Sequence, residues 1–164
     1  MPAVTQQAVP PLNPWIVRTT PEQLHEKRMG KYGEAAVRTA ELLRSGEASA
    51  VDAWSVIAAD LFHDAPEARK KGCPREAFFG LCQAELIRGV SRNACNLPER
   101  SSLNRQYAVA AARLLQTEPQ LASGSEAELW RRVMDEVRSD PEKRHNFQMD
   151  VVLSLWEQDL IAES

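Results

Sequence analysis

Residues 72–87 read GCPREAFFGLCQAELI, and residues 146–161 read NFQMDVVLSLWEQDLI. Each stretch follows a basic pair, Lys70-Lys71 and Arg144-His145. Each carries an acid at the same place, Glu76 and Asp150, then continues as an apolar helix and closes on an acid followed by Leu-Ile. The likeness extends outward in order. Ala36-Val37, Ala40 and Leu42-Leu43 match Ala108-Val109, Ala112 and Leu114-Leu115. Trp54 with Ile57 and Leu61 matches Trp130 with Val133 and Val137. The offset stays at about 72 to 76 residues throughout, the mark of an internal repeat. Two three-helix units, about 31–90 and 102–162, are each too small to bury a good core alone. They are expected to pack face to face, with the two opening stretches at equivalent places.

The 164 residues fit one domain, 43% hydrophobic and 26% charged, as in ordinary globular chains. Net charge is −3 and pI about 5.7, which disfavours nucleic acid as a partner. No apolar run is long enough for a bilayer, and the N-terminus lacks a signal-peptide pattern, so a cytoplasmic setting without membrane contact is the expectation. Cys73, Cys82 and Cys95 cannot all pair. Without a Cys-x-x-Cys spacing they indicate neither a disulfide framework nor a zinc knuckle.

Residues 1–20 read as an extended arm, because Pro2, Pro10, Pro11 and Pro14 exclude a helix. Trp15 anchors the arm, either on its own domain or on another protein. Residues 21–164 read as a single helical domain. Thr20-Pro21 is a helix start, and Gly30 and Gly33 are expected to split a short helix from a longer one that Gly46 stops. Ser49, Ser101 or Ser102, and Ser125 cap later helices, and Asn146 caps the last. The helix that Cys73-Pro74 opens is expected to run to Gly89. No alternating run is separated by a hairpin dipeptide, so the chain reads as all-α, a bundle of about six helices.

Lys71-Gly-Cys-Pro-Arg75 with Gly80-Leu-Cys82, Asn104 with Tyr107-Ala108, His145-Asn146, Gln148-Met-Asp-Val-Val152 and Leu155-Trp156 together resemble a small bacterial all-helical family of unknown function. The resemblance covers about 31–162. It implies a helical fold and brings no assigned activity.

Candidate chemistry gathers at the two motif starts. Cys73 sits at a helix N-terminus beside Lys70, Lys71 and Arg75, where a thiolate or a bound anion is favoured. The bland alternative is a buried cysteine in a solvated basic turn. His145, Asn146, Gln148 and Asp150 are the polar counterparts on the second motif; Asp150 there simply suits the helix dipole. His25, His63 and His145 have no metal-ligand spacing, and no phosphate loop or nucleophile elbow occurs, so no metal, cofactor or catalytic set is expected. A helix-turn-helix made of Asp60 to Arg69, a turn at Lys71-Gly72 and the helix from Pro74 fits in layout. Its second helix, carrying Phe78, Phe79 and Leu81, is too apolar to read bases. The expected role is a non-enzymatic protein-interaction or regulatory protein. The alternatives are a ligand-binding protein or enzyme with a site at Lys71, Cys73 and Arg75, and a DNA-binding regulator. Oligomeric state is not legible.

Overall fold

In the computed structural model, which describes residues 29–98 and 102–163, the serines expected as caps do start helices. The Ser49 hydroxyl accepts the Asp52 amide at 3.2 Å, Ser102 that of Arg105 at 3.4 Å, and Ser125 that of Glu128 at 3.0 Å. Each bond satisfies one orphan donor of a first turn. In order, the helices are α1 (Lys31–Arg44), α2 (Ala50–Leu61), α3 (Pro66–Arg69), α4 (Gly72–Gln83) and α5 (Arg92–Cys95). There follow α6 (Leu103–Thr117), a 3-10 turn at Pro119–Ser123, α7 (Glu126–Val137) and α8 (Gln148–Glu157). The fold of the described residues is all-α, without a β-strand. The arm with Trp15 and the helix start at Thr20-Pro21 lie outside the described residues.

The packing is reciprocal. Helix α4 lies mainly on α6, and α1 mainly on α8, so in the triplets α1, α2, α4 and α6, α7, α8, which leave out the one-turn α3, the last helix of each covers the first helix of the other. Within triplets α1 packs on α2 and α6 on α7, and α4 meets α8 between them. Both α4 and α8 are enclosed over most of their circumference, from Glu76 to Cys82 and from Gln148 to Leu155. Trp54 and Trp130, at the same position of α2 and α7, are both buried. Trp54 packs on Phe78, and Trp130 packs edge-on against Tyr107. Full burial of one large apolar side chain is worth about 1.5–3 kcal/mol, so these helices are held by packing more than by propensity.

Gly33 does not break α1 as expected. It is buried in the first turn because α8 crosses there: a Cβ on Gly33 would lie 2.0 Å from Ser154 Oγ. At the other crossing the small residue is on the opposite partner. A Cβ on Gly80 of α4 would lie 2.6 Å from Arg105 Cα of α6.

Helix α4 ends at Gln83 and not at Gly89, for a reason it shares with α8. Glu85 and Asp159 both adopt the left-handed region at φ 59°. The Leu86 amide then donates to the Leu81 carbonyl at 2.9 Å, and the Leu160 amide to the Leu155 carbonyl at 2.8 Å. These are two Schellman caps with an acid where glycine is usual. The chains leaving them pair as an antiparallel bridge between Ile87 and Ile161. The Arg88 amide donates to Leu160, and the Ala162 amide to Leu86, each at 2.8 Å. The acid-Leu-Ile endings are thus caps and a clasp, not the last turns of helices.

Two further expectations are corrected. Asn146 is not the cap of α8. That position falls on Phe147 at φ 72°, while the Gln148 side chain reaches back to accept the Asn146 amide. And Cys82 and Cys95 form a disulfide, with Cα atoms 5.7 Å apart. Sequence spacing did not indicate it because the turn after Gln83 and the short helix α5 bring Cys95 back to α4.

Candidate functional site

The two motif starts meet. The Asn146 side-chain amide donates to Cys73 Sγ at 3.6 Å, and the Lys71 ammonium lies 5.7 Å from the Phe147 ring centroid. Gln148 donates to Asn104 Oδ1 at 2.9 Å. Phe147 also packs on Tyr32, whose hydroxyl donates to the Ala68 carbonyl at 2.8 Å. Burial pushes the Tyr32 hydroxyl above the usual tyrosine range. Cys73 is the free cysteine, half-buried at the second position of α4. Arg75 is half-buried and makes no ion pair with a described residue. His145 packs against Trp130 with centroids 5.9 Å apart, and its Nδ1 is buried without a described partner.

The acids of the two motifs hold the crossings between the units. Asp150 accepts the Gly33 amide at 2.9 Å, an orphan donor in the first turn of α1, and the Ser154 hydroxyl at 3.4 Å. Glu76 occupies the equivalent place and accepts Arg105 Nε at 2.8 Å, both side chains being under 10% exposed. Arg105 also donates to Gln83 and to the Pro98 carbonyl, and its guanidinium lies over the Phe79 ring. Nearby, the Glu126 carboxyl is pushed above the usual range, first by burial and then by the Asp150 charge, with His145 opposing.

These contacts bring together Cys73, Lys71, Asn146 and the Phe147–Gln148 turn. Gln148 and Asp150 of α8 each bond a residue of another helix, Asn104 of α6 and Gly33 of α1. In α4, Pro74 and residues 76–82 are buried. Among the described residues no group of three or more His, Cys, Asp or Glu is arranged to hold a metal ion. No helix among them is long and apolar enough to cross a membrane.

A second feature has no counterpart in the sequence reading. An open groove of about 720 Å³ runs along α6, between the end of α4 and α7. Its floor is Val109, Ala110 and Leu114, with Gly80 and Ala84 at one side. Arg105, Arg113, Arg132 and Glu136 border it. Arg132 is held by two bonds to Glu118, at 3.0 and 2.6 Å, and that guanidinium keeps the Glu118 carboxyl below its usual range. Arg113 is exposed and makes no ion pair with a described residue. Arg105 and Arg132 come from different helices, so no linear motif announces the groove. At the spacing of 72 residues noted in the sequence, Arg38 of α1 corresponds to Ala110 of α6.

No curated protein and no solved structure matches the chain. A family model matches residues 29–162, which span all the described elements. The chain belongs to that family, a family of unknown function (DUF6979).

Proposed function

We propose that this chain is a non-enzymatic interaction protein that takes a segment of another protein into the groove along α6. The groove carries the reading: it is long, open, apolar along its floor and arginine-bordered, which suits a partner segment with an apolar face and polar flanks. The alternative polar cluster is largely occupied, since Asp150 and Glu76 bond the units to one another and Gln148 is bonded to Asn104 within the second unit. The two units themselves we read as copies of one three-helix element, supported by the reciprocal crossings and by the matched caps at Glu85 and Asp159. A cytoplasmic setting belongs to the same proposal. There the Cys82–Cys95 bond must resist thiol exchange, and the 1% exposure of both residues favours that.

A photo-crosslinking residue at Gln106, on the groove, tests this reading against one at Val56, exposed on α2. We expect a single partner, identified by sequencing the crosslinked peptide, from position 106 and not from position 56. Equal labelling from both positions would count against the groove. A second reading, a thiol or anion site, draws on the Asn146 amide beside Cys73. For that reading Cys73 must alkylate at neutral pH faster than an ordinary exposed thiol; if it does not, the thiol site is dropped.

A further inference from the structure

The groove has a built-in template for its occupant. Helices α1 and α2 repeat the arrangement of α6 and α7, and in that register Arg38 matches Ala110, Glu34 matches Gln106, and Asp60 matches Glu136. On the first pair the cleft is filled from within. Arg38 crosses from α1 to Asp60 of α2, with Nη2 to Oδ2 at 3.0 Å, and lies 3.7 Å from Glu34. On the second pair Ala110 has no side chain to cross with. Glu136 stands exposed without a hydrogen bond or ion pair to a described residue, and Ala110, Gln106 and Glu136 all line the groove. Val109 is correspondingly more exposed than the buried Val37 at the same position. The carboxylate of the template is present, the aliphatic stem and guanidinium are missing, and the space they would fill is open.

We propose that the groove accepts an arginine side chain of a partner protein, its stem over Ala110 and its guanidinium on the Glu136 carboxylate. This rests on the reading of the groove as the interaction face. Arginine suits the place because its stem covers apolar surface while its planar head bonds a carboxylate. Arg132 is bonded to Glu118 and reaches Glu136 only as a nearby positive charge, which leaves the carboxylate free to take a direct bond. Arg113, which stands where α1 has Glu41, opposes a bare cation at the groove. The partner segment therefore also carries an acid near its arginine, to face Arg113.

The test uses the full chain and n-butylguanidinium, which is an arginine side chain with its Cα carbon in place of the backbone. Amide shifts in ¹⁵N spectra report where it binds. We expect saturable shifts around Ala110 and Glu136, weaker binding of n-butylammonium, and several-fold weaker binding of butylguanidinium to Glu136→Gln. Ala110→Arg supplies the missing side chain internally, so it should abolish these shifts and raise Tm. The rise should disappear in the Ala110→Arg, Glu136→Gln double variant. Shifts that survive Ala110→Arg, no shifts at the groove at all, or an Ala110→Arg effect on Tm indifferent to residue 136 would each overturn the proposal. If a partner still crosslinks from Gln106 in any of those cases, the groove remains the interaction face and only its arginine occupant falls. If no partner crosslinks, the interaction reading itself falls, whatever butylguanidinium does.

Discussion

The two three-helix units share caps, tryptophans and crossings, yet they resolve the same contacts with opposite side chains. Where α8 crosses α1, glycine is on the first helix and the acid Asp150 takes a backbone amide. Where α4 crosses α6, glycine is on the third helix and the acid Glu76 takes the guanidinium of Arg105. Space given on one partner is filled by the other, as a close-packed interface requires. The difference shows which parts of the design are interchangeable. Helix starts, the paired αL caps and the Ile87–Ile161 clasp are common to both units; the charge arrangement at each crossing is not. The same contrast leaves one α-α cleft filled by Arg38 and the other open over Ala110.

The crossings should break unequally. Arg105→Ala leaves Glu76 buried without its partner, a change that costs about 3–5 kcal/mol. Asp150→Asn keeps an acceptor for the Gly33 amide and should cost about 1 kcal/mol. Urea midpoints measure both, and equal losses would mean the two crossings carry the same load despite their chemistry. Next comes the disulfide, which belongs to the first unit alone: Trp156 of α8 holds the place of Cys82. Replacing Cys82 and Cys95 by alanine should cost about 3 kcal/mol, the value for a loop of this size. Chemical denaturation with and without a thiol reductant reads it, and reductant should have no effect on the double variant.

The caps should sharpen the likeness. Ser49→Ala and Ser125→Ala remove matching bonds and should each cost about 1 kcal/mol, equal within the error of thermal melts. A large inequality would say that the matched geometry hides different energetics. The smallest effect is a pH dependence confined to the second unit, because Glu126 of α7 stands where α2 has Ala50. Its folded pKa lies above the ordinary carboxylate value, so between the two values the folded state binds more protons than the unfolded one. Stability contributed by the protonated form is present below that window and falls as pH rises through it. Glu126→Gln should remove that slope and raise stability at neutral pH, as denaturation across the window would show.

Much of the scaffold is legible in the sequence because its signals are local. Ser49, Ser102 and Ser125 start helices by a bond to a residue three positions on, and the tryptophan stripes have helical spacing. The endings are not legible in the same way. Glu85 and Asp159 stop helices in a conformation that glycine favours, so the pattern points past Glu85 to Gly89. Asn146 looks like a cap, but the Cys73 thiol beside it, distant in sequence, takes its side chain. The disulfide and the groove depend on turns that return the chain to α4 and on three elements meeting along α6. No spacing rule encodes either. The two motif starts are legible as a place, and they touch through Asn146 and Cys73.

The most direct test of the filled and open clefts is Arg38→Ala, which removes the internal occupant from the first one. The account predicts that n-butylguanidinium, which binds one site on the unchanged protein, then binds two, with new amide shifts at Arg38→Ala and Asp60. A titration that still reports one site, or shifts that leave Asp60 unmoved, would contradict the claim that Arg38 fills a cleft equivalent to the one left open along α6.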